Sequence, residues 1–254
     1  MDISGKTIAI TGAAQGIGAA LAHAAHRRGA KAVACLDLNG AMSDAVASEI
    51  NGLAITVDVS SEPDLTRAIT QVEAELGPID IFCSNAGILT PGGADLPDDD
   101  WDRMWRINVM SHVWAARHLV PSMIARGGGH LLNTASAAGL LNQIGSAPYG
   151  VTKHAAVGLA EWLAMTHGDD GIGVSVLCPQ GVRTPMIEGH EDHVAAADGI
   201  LEPDVVAEAA LQGIEDGTFL ILPHEKVREY MMLKASDYER WLGGMRKLNR
   251  IYRS

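Results

Sequence analysis

A tyrosine and a lysine stand four residues apart in "SAPYGVTK", residues 146–153, among mostly small residues. If this stretch opens a helix, Tyr149 and Lys153 share one face, because side chains at i and i+4 are neighbours about 6 Å apart. A phenol beside an ammonium group can give and take a proton. An exposed pair, or a buried tyrosine beside a lysine whose charge stays in water, has the same spacing. Other segments must decide between these interpretations.

A glycine-rich segment, "TGAAQGIG" at residues 11–18, joins the first predicted strand to the first predicted helix. Gly12, Gly16 and Gly18 permit a tight turn and a close approach of the backbone to a ligand. The start of the helix offers free N–H groups and a partial positive charge to a pyrophosphate. A glycine-rich turn without a ligand is the alternative, but its position in the first strand–helix unit favours a dinucleotide.

An acidic residue, Asp37, ends the second predicted strand about twenty residues after the glycines. A carboxylate there can accept hydrogen bonds from an adenosine ribose, and it would repel a 2′-phosphate. Neither Gln15 nor Leu38 supplies a cation for such a phosphate. The segment therefore favours NAD over NADP. The alternative is that Asp37 only caps the following loop or helix.

Short β-branched runs alternate with longer amphipathic runs along the chain, which predicts an α/β fold. Strands are expected near residues 6–10, 32–36, 53–57, 79–83, 129–134, 172–178 and 217–223. Helices are expected near residues 16–28, 42–50, 62–76, 101–126 and 149–167. This order predicts a Rossmann-type, doubly wound parallel sheet of about seven strands with helices on both faces. Ligands bind such sheets at the carboxyl ends of the strands.

The bulk composition predicts one domain spanning residues 1–254. The formal net charge of -12 argues against nucleic acid or an anionic membrane as the main partner. Cys35, Cys83 and Cys178 lie in apolar runs without metal-ligand spacing, so they are interpreted as buried thiols and no metal site is expected. Without a signal-like N-terminus or an apolar run of about 18 residues, a cytoplasmic protein is expected.

The segment after the last strand, residues 224–254, carries apolar residues near helical spacing among charged ones. It is predicted to form one or two amphipathic helices. Packing on the domain's own surface or on a neighbouring subunit is favoured, and a lid over an active site is the alternative.

Taken together, these segments resemble the short-chain dehydrogenase/reductase family, in its short single-domain branch, over nearly the whole chain. The glycine motif of the family is matched by Thr11, Gly12, Gly16 and Gly18, and its adenine contact by Asp58 and Val59. Its Asn-Asn-Ala-Gly segment is matched by Ser84, Asn85, Ala86 and Gly87, with serine in the first position. Its catalytic residues are matched by Asn108, Ser136, Tyr149 and Lys153.

The resemblance implies a role for each catalytic residue. Tyr149 is the general acid and base in hydride transfer, and Ser136 holds the substrate oxygen. Lys153, with the positive nicotinamide ring, is expected to lower the phenol's pKa from about 10 toward neutrality and to bind the nicotinamide ribose. Asn108 is a poor helix former. The resemblance implies that it kinks its helix and holds a water in a proton relay from Lys153.

The resemblance also implies the two binding sites. The expected cofactor residues are Gly12, Gln15, Gly16, Ile17, Gly18, Asp37, Leu38, Asp58, Val59, Asn85, Ala86, Gly87, Tyr149, Lys153, Pro179, Gly181, Val182 and Thr184. The expected substrate residues are Ser136, Leu140, Gln143, Tyr149, Gln180, Met186 and His190, and residues 184–202 form a lid with a second histidine, His193. Because most residues of this pocket are apolar, a largely apolar secondary alcohol or ketone is expected.

One position departs from the family pattern. Gln180 stands where the family has glycine after Pro179, so a turn with positive φ would be strained there, and Gly181 could take over the bend. The hypothesis is that Gln180 faces the nicotinamide end and contributes to substrate selection.

Alternatives to an NAD-dependent dehydrogenase stay open. An NADPH-dependent 3-oxoacyl thioester reductase shares the four catalytic residues, although Asp37 argues against it. A dinucleotide-binding redox sensor without turnover would be expected to lack an intact set. The resemblance further implies a homodimer or homotetramer formed through the helices that carry Asn108 and Tyr149.

Overall fold

The computed structural model describes residues 1–189 and 194–252, and its central element there is a seven-stranded parallel sheet. The strands lie in the order β3-β2-β1-β4-β5-β6-β7. They are β1 (Thr7–Thr11), β2 (Ala32–Asp37), β3 (Leu53–Thr56), β4 (Ile81–Ser84), β5 (Gly129–Thr134), β6 (Ile172–Leu177) and β7 (Leu220–Ile221). The order reverses between β1 and β4, which opens a crevice at the carboxyl ends of the strands. The predicted doubly wound Rossmann-type fold is confirmed.

The helices connect these strands and cover both faces of the sheet. They are α1 (Gly16–Arg27), α2 (Gly40–Glu49), α3 (Glu62–Leu76), α4 (Asp98–Trp105), α5 (Ser111–Ala125), α6 (Ala138–Leu141), α7 (Ala147–His167), α8 (Pro203–Glu215), α9 (Lys226–Ser236) and α10 (Tyr238–Tyr252). Apolar residues of α1, α2 and α8 pack on one face of the sheet, and those of α3, α5 and α7 pack on the other. These two cores fix the loops that carry the site.

The prediction of a single helix over residues 101–126 was wrong in one respect. The structure divides it into α4, a π-helical segment at Arg106–Met110 and α5. The extra residue of a π turn lets the chain bulge without ending the helix. Asn108 lies in this segment, where the sequence predicts a departure from regular helix.

The last predicted strand, residues 217–223, was also too long. Only Leu220 and Ile221 pair with β6, at Val176 and Leu177, and β7 is an edge strand of the sheet. The tail that follows contains two helices, α9 and α10.

The three cysteines are free and buried, as predicted. Burial raises the pKa of each thiol to about 12, so all three stay protonated at neutral pH. Within the described residues, no helix is long and apolar enough to cross a membrane.

Candidate active site

The local sequence around Tyr149 explains why a helix begins there. The Ser146 side chain caps α7 by accepting a hydrogen bond from the Tyr149 backbone N–H at 3.4 Å, and its hydroxyl donates to the Thr90 carbonyl at 2.7 Å. Pro148 lies in the first turn, where its missing N–H costs nothing. Tyr149 and Lys153 are 8% and 3% exposed, so the interpretation as an exposed pair is wrong.

Lys153 is held beneath the tyrosine ring. Its Nζ donates a hydrogen bond to the Thr134 carbonyl at 3.0 Å and lies 5.6 Å from the centre of the Tyr149 ring. Burial lowers the pKa of Lys153 to about 8, because a desolvated ammonium group is costly. The lysine therefore combines a fixed position with a charge that is readily lost.

The pKa of Tyr149 is subject to opposing effects from the protein's own groups. Burial raises it above 10, a hydrogen bond with the Ser136 side chain acts in the opposite direction, and the Cys178 thiol adds a smaller upward effect. The net effect of the protein's own groups is therefore to raise the phenol's pKa, and Lys153 does not offset the desolvation of the phenolate. A lowered pKa requires a further positive charge.

Ser136 lies just beyond β5 and joins two loops. Its hydroxyl accepts a hydrogen bond from the Ala138 N–H at 3.1 Å and donates to the Pro179 carbonyl at 3.4 Å. The serine thus ties the end of β5 to the loop after β6, next to Tyr149. Tyr149 and Ser136 can together hold one substrate oxygen.

Asn108 acts from behind the cleft surface. Its Nδ2 donates to the Ile88 carbonyl at 2.9 Å and to the Thr152 hydroxyl at 3.1 Å, while its Oδ1 accepts from the Ile88 N–H at 2.9 Å. The side chain is fully buried and does not line the cleft. It fixes the Gly87–Ile88 backbone against α7, within the turn that separates Tyr149 from Lys153.

The glycine loop is packed too tightly for other residues. A Cβ at Gly18 would lie 2.0 Å from the Gly12 carbonyl oxygen, and a Cβ at Gly16 would lie 2.9 Å from the Thr184 Cγ2. Gly18 was expected to bind the cofactor, but it lies beneath Gly12 and does not line the cleft. Its absent side chain lets α1 start close to β1.

The start of α1 offers donors to an anion. Gln15, at its N-cap, makes no side-chain capping hydrogen bond, and no acidic residue lies in the first turn. Backbone N–H groups and the helix dipole there suit the pyrophosphate of a dinucleotide.

Asp37 has the capping role that the sequence analysis gave as the alternative. Its carboxylate accepts hydrogen bonds from the Ala14 N–H at 3.0 Å and the Asn39 N–H at 2.9 Å, so it does brace the surrounding loops. It also lines the cleft, beside the 71% exposed Leu38. Because Asp37 lines the cleft while it caps these loops, the capping hydrogen bonds leave it within reach of a ribose bound in the cleft.

These residues line one continuous cleft of about 660 Å³. Every expected cofactor residue except Gly18 lies on its wall, and so do the expected substrate residues Ser136, Gln143, Tyr149, Gln180 and Met186. Leu140 was placed in the pocket wrongly: it packs against the cluster of Ala137, Leu141 and Val227 and does not line the cleft, whereas the adjacent Leu141 does. His190 and His193 lie outside the described residues.

Gln180 takes part in two hydrogen bonds of this wall. Its backbone N–H donates to His224 Nδ1 at 3.1 Å, and its side-chain amide donates to Asp198 at 3.1 Å. The described non-glycine residues with positive φ are Asn51 and Asn142, so the turn does not strain Gln180 and glycine is not needed there.

Sequence reasoning missed several cleft residues. These are Arg103, Asp198, Tyr230, Trp241, Met245 and Leu248. The spacing of Trp241, Met245 and Leu248 places them on one helical face, which was a usable signal. The tail thus lines part of the cleft, and it also packs on the domain's own surface at Ala137 and Leu141, as the favoured interpretation of the sequence expected. No group of acidic, histidine or cysteine side chains in the described segments could hold a metal ion.

Comparison with known proteins agrees with this geometry. The family model for short chain dehydrogenase matches residues 6–195. The chain is 36% identical over 198 residues to 1-deoxy-11-beta-hydroxypentalenate dehydrogenase of Streptomyces exfoliatus, covering 74% of this chain and 72% of that protein.

Two solved structures share the fold. One is a short chain dehydrogenase/reductase from Burkholderia phymatum in complex with NAD, with a TM-score of 0.86, 24% identity, and coverage of 94% of this chain and 96% of that one. The other is 3-ketoacyl-(acyl-carrier-protein) reductase from Brucella melitensis complexed with NADH, with a TM-score of 0.81, 28% identity, and coverage of 87% and 97%. The chain belongs to the short-chain dehydrogenase/reductase family of oxidoreductases, which includes dehydrogenases acting on hydroxyl groups.

Proposed function

We propose that this protein is an NAD-dependent dehydrogenase that interconverts a largely apolar secondary alcohol and its ketone. The observation that carries the proposal is the placement of Ser136, Tyr149 and Lys153 in the same cleft as the glycine loop and Asp37. The wall around the catalytic end is mostly apolar, with Ile88, Leu89, Leu141, Ile144, Met186 and Ile187. Such a wall suits a hydrocarbon body with a single reacting oxygen.

In this proposal, each side chain handles a different part of the proton transfer. Ser136 donates a hydrogen bond to the substrate oxygen and stabilises its developing charge. Tyr149 takes the hydroxyl proton during oxidation and returns it during reduction. Bound NAD⁺ would accept the hydride and supply the positive charge that the phenol needs for a lowered pKa. Lys153 holds the ribose end and keeps a second cation near the phenol.

The alcohol reaction is tested by mixing the protein with NAD⁺ and a panel of secondary alcohols and following the absorbance of reduced nicotinamide. Turnover of apolar secondary alcohols is expected. NADPH consumption with 3-oxoacyl thioesters, and none of NAD⁺ with any alcohol, would favour the reductase alternative. Dinucleotide binding without turnover of either substrate class would favour a redox sensor.

The preference for NAD over NADP is proposed from the position of Asp37 on the cleft wall. Replacing it by asparagine removes the charge that repels a 2′-phosphate. We expect kcat/KM with NAD⁺ to fall about 10- to 100-fold, since a charged hydrogen bond contributes about 1.5–3 kcal/mol. The ratio of kcat/KM with NADP⁺ to that with NAD⁺ should rise. Steady-state kinetics with both cofactors measure this ratio.

The control for this variant is Asp44→Asn, which removes an exposed carboxylate from α2. It should leave the cofactor ratio unchanged. A parent protein that already prefers NADP⁺, or an Asp37→Asn variant with an unchanged ratio, would contradict the assignment.

A homodimer or homotetramer is proposed from an exposed apolar face on α7. Val151, Trp162 and Met165 are 47%, 53% and 78% exposed on the helix that carries Tyr149. Large apolar side chains on one helix face are typical of subunit contacts. We expect the double variant Trp162→Glu, Met165→Glu to sediment as a smaller species than the parent in analytical ultracentrifugation.

The matched control is Met42→Glu, on α2, where the methionine is 42% exposed. It should keep the parent's sedimentation coefficient. A parent that sediments as a monomer would overturn the oligomer proposal. The net charge of -12 supports the remaining part of the proposal, an enzyme without nucleic acid or an anionic membrane as its main partner.

A further inference from the structure

One carboxylate, Asp198, gathers donors from two separate parts of the chain. Its Oδ2 accepts a hydrogen bond from Gln180 Nε2 at 3.1 Å. Its Oδ1 accepts from the Tyr230 hydroxyl at 3.0 Å and from Lys226 Nζ at 3.0 Å. Three donors on one carboxylate, one of them charged, form a strong junction.

The side chain of Asp198 is 8% exposed, while that of its partner Lys226 is 60% exposed. Gln180, Asp198 and Tyr230 all lie on the cleft wall. Gln180 follows β6 at the nicotinamide end, Asp198 belongs to the expected lid, and Tyr230 and Lys226 belong to α9. The carboxylate therefore joins three segments that no regular element connects.

The junction continues into the last helix. The Tyr230 ring lies 6.4 Å from the Trp241 ring, centre to centre. Trp241, Met245 and Leu248 of α10 line the cleft, yet α10 has no buried residue. The hydrogen bond from Lys234 Nζ to the Leu140 carbonyl at 2.6 Å gives α9 a second attachment. The apolar face of α10 is thus directed at the cleft but remains incompletely covered by protein.

We propose that Asp198 is a positioning residue that fixes α9 and α10 over the substrate end of the cleft, so that Trp241, Met245 and Leu248 form a far wall for substrates with a large apolar body. This inference rests on the proposed dehydrogenase function. An alcohol with a small body would reach Ser136 and Tyr149 without contacting α10. A larger body would bury the exposed part of this apolar face, and each added methylene would gain binding energy.

The test compares Asp198→Asn with the parent. Asparagine is nearly the same size as aspartate, but it has no charge to pair with Lys226. In addition, its NH₂ group would face one of the donors that the carboxylate now accepts from. We measure kcat and KM for 2-butanol and 2-nonanol at saturating NAD⁺. We expect kcat/KM for 2-nonanol to fall about tenfold more than that for 2-butanol, mainly through KM.

Two further variants separate this role from a general loss of structure. Tyr230→Phe removes one donor and keeps the ring beside Trp241, so a smaller change in the same direction is expected. Asp198→Glu keeps the charge and should restore part of the selectivity. The control Asp169→Asn removes an exposed carboxylate after α7 and should leave both substrates unchanged.

A second measurement does not depend on turnover. Hydrogen–deuterium exchange of peptides covering Lys226–Ser236 should be about tenfold faster in Asp198→Asn than in the parent, because the helix loses its junction. An unchanged exchange rate would overturn the positioning role. A selectivity ratio equal to the parent's, or an equal fall for both alcohols, would overturn the link to substrate size. If the parent oxidises neither alcohol, the proposed function fails instead, and the exchange rates alone decide the role of Asp198.

Discussion

Replacing Tyr149 by phenylalanine is expected to lower kcat for alcohol oxidation about 10³- to 10⁴-fold, as loss of a general base does at the upper end of its usual range. Phenylalanine keeps the ring that packs with Met104 and Ala138 but removes the oxygen that exchanges the proton. Steady-state kinetics with NAD⁺ and a good alcohol substrate measure the effect. The dissociation constant for NAD⁺ should change little, because the glycine loop and Asp37 are distant in sequence and unaltered.

The comparison variant is Tyr238→Phe, which removes the hydroxyl of a 55% exposed tyrosine at the start of α10. It is expected to keep the parent's kcat. A Tyr149→Phe protein that folds, binds NAD⁺ and oxidises alcohols at the parent's rate would show that another group takes the proton.

The pH dependence follows from the direction of the Tyr149 pKa. Burial raises it, so the phenol stays protonated at neutral pH unless bound NAD⁺ adds its positive charge. Alcohol oxidation needs the deprotonated oxygen, and it should therefore become faster as the pH rises. Sequence reasoning assigned the lowering of this pKa to Lys153 together with the nicotinamide ring. It did not include the desolvation of the phenol, because helical spacing shows that two groups are neighbours but not how far both are buried.

The features that could be predicted from sequence are those set by local spacing. Helical periodicity placed Tyr149 and Lys153 on one face of α7, and alternating strand and helix patterns predicted the sheet. The glycines predicted the loop at the start of α1. Each depends on residues close together in the chain, so a pattern of a few residues contains the information.

The features that could not be predicted depend on contacts between distant segments. The side chain of Asp198 meets Tyr230 across 32 positions, and no local pattern indicates that meeting. Leu140 and Leu141 are adjacent, and only the short turn of α6 decides which one faces the cleft. The tail showed its amphipathic pattern in the sequence, but the surface that its apolar face would cover became clear only in three dimensions.

Replacing Lys153 by methionine is expected to reduce activity and to increase stability. The activity loss should be on the order of 10²- to 10³-fold, the usual effect of deleting one stabilising donor at a reacting centre. The stability gain follows from burial of the ammonium group, which lowers its pKa from 10.5 to about 8. A pKa difference of this size destabilises the folded state by about 3 kcal/mol at any pH at which Lys153 is charged in both the folded and the unfolded protein.

The stability gain of the Lys153→Met variant should depend on pH. Below pH 8 the folded protein bears the full cost of the buried charge, and between pH 8 and 10.5 the folded lysine loses its proton first, so the parent's stability rises. Methionine removes the cost but leaves the Thr134 carbonyl without its donor, a loss of about 1 kcal/mol. We therefore expect a net gain of about 2 kcal/mol in the free energy of unfolding at pH 7, shrinking as the pH approaches 10. Urea denaturation at several pH values, without NAD⁺, measures the gain. A variant less stable than the parent at pH 7 would show that the Lys153 ammonium group is better solvated or better paired in the folded protein than its burial implies.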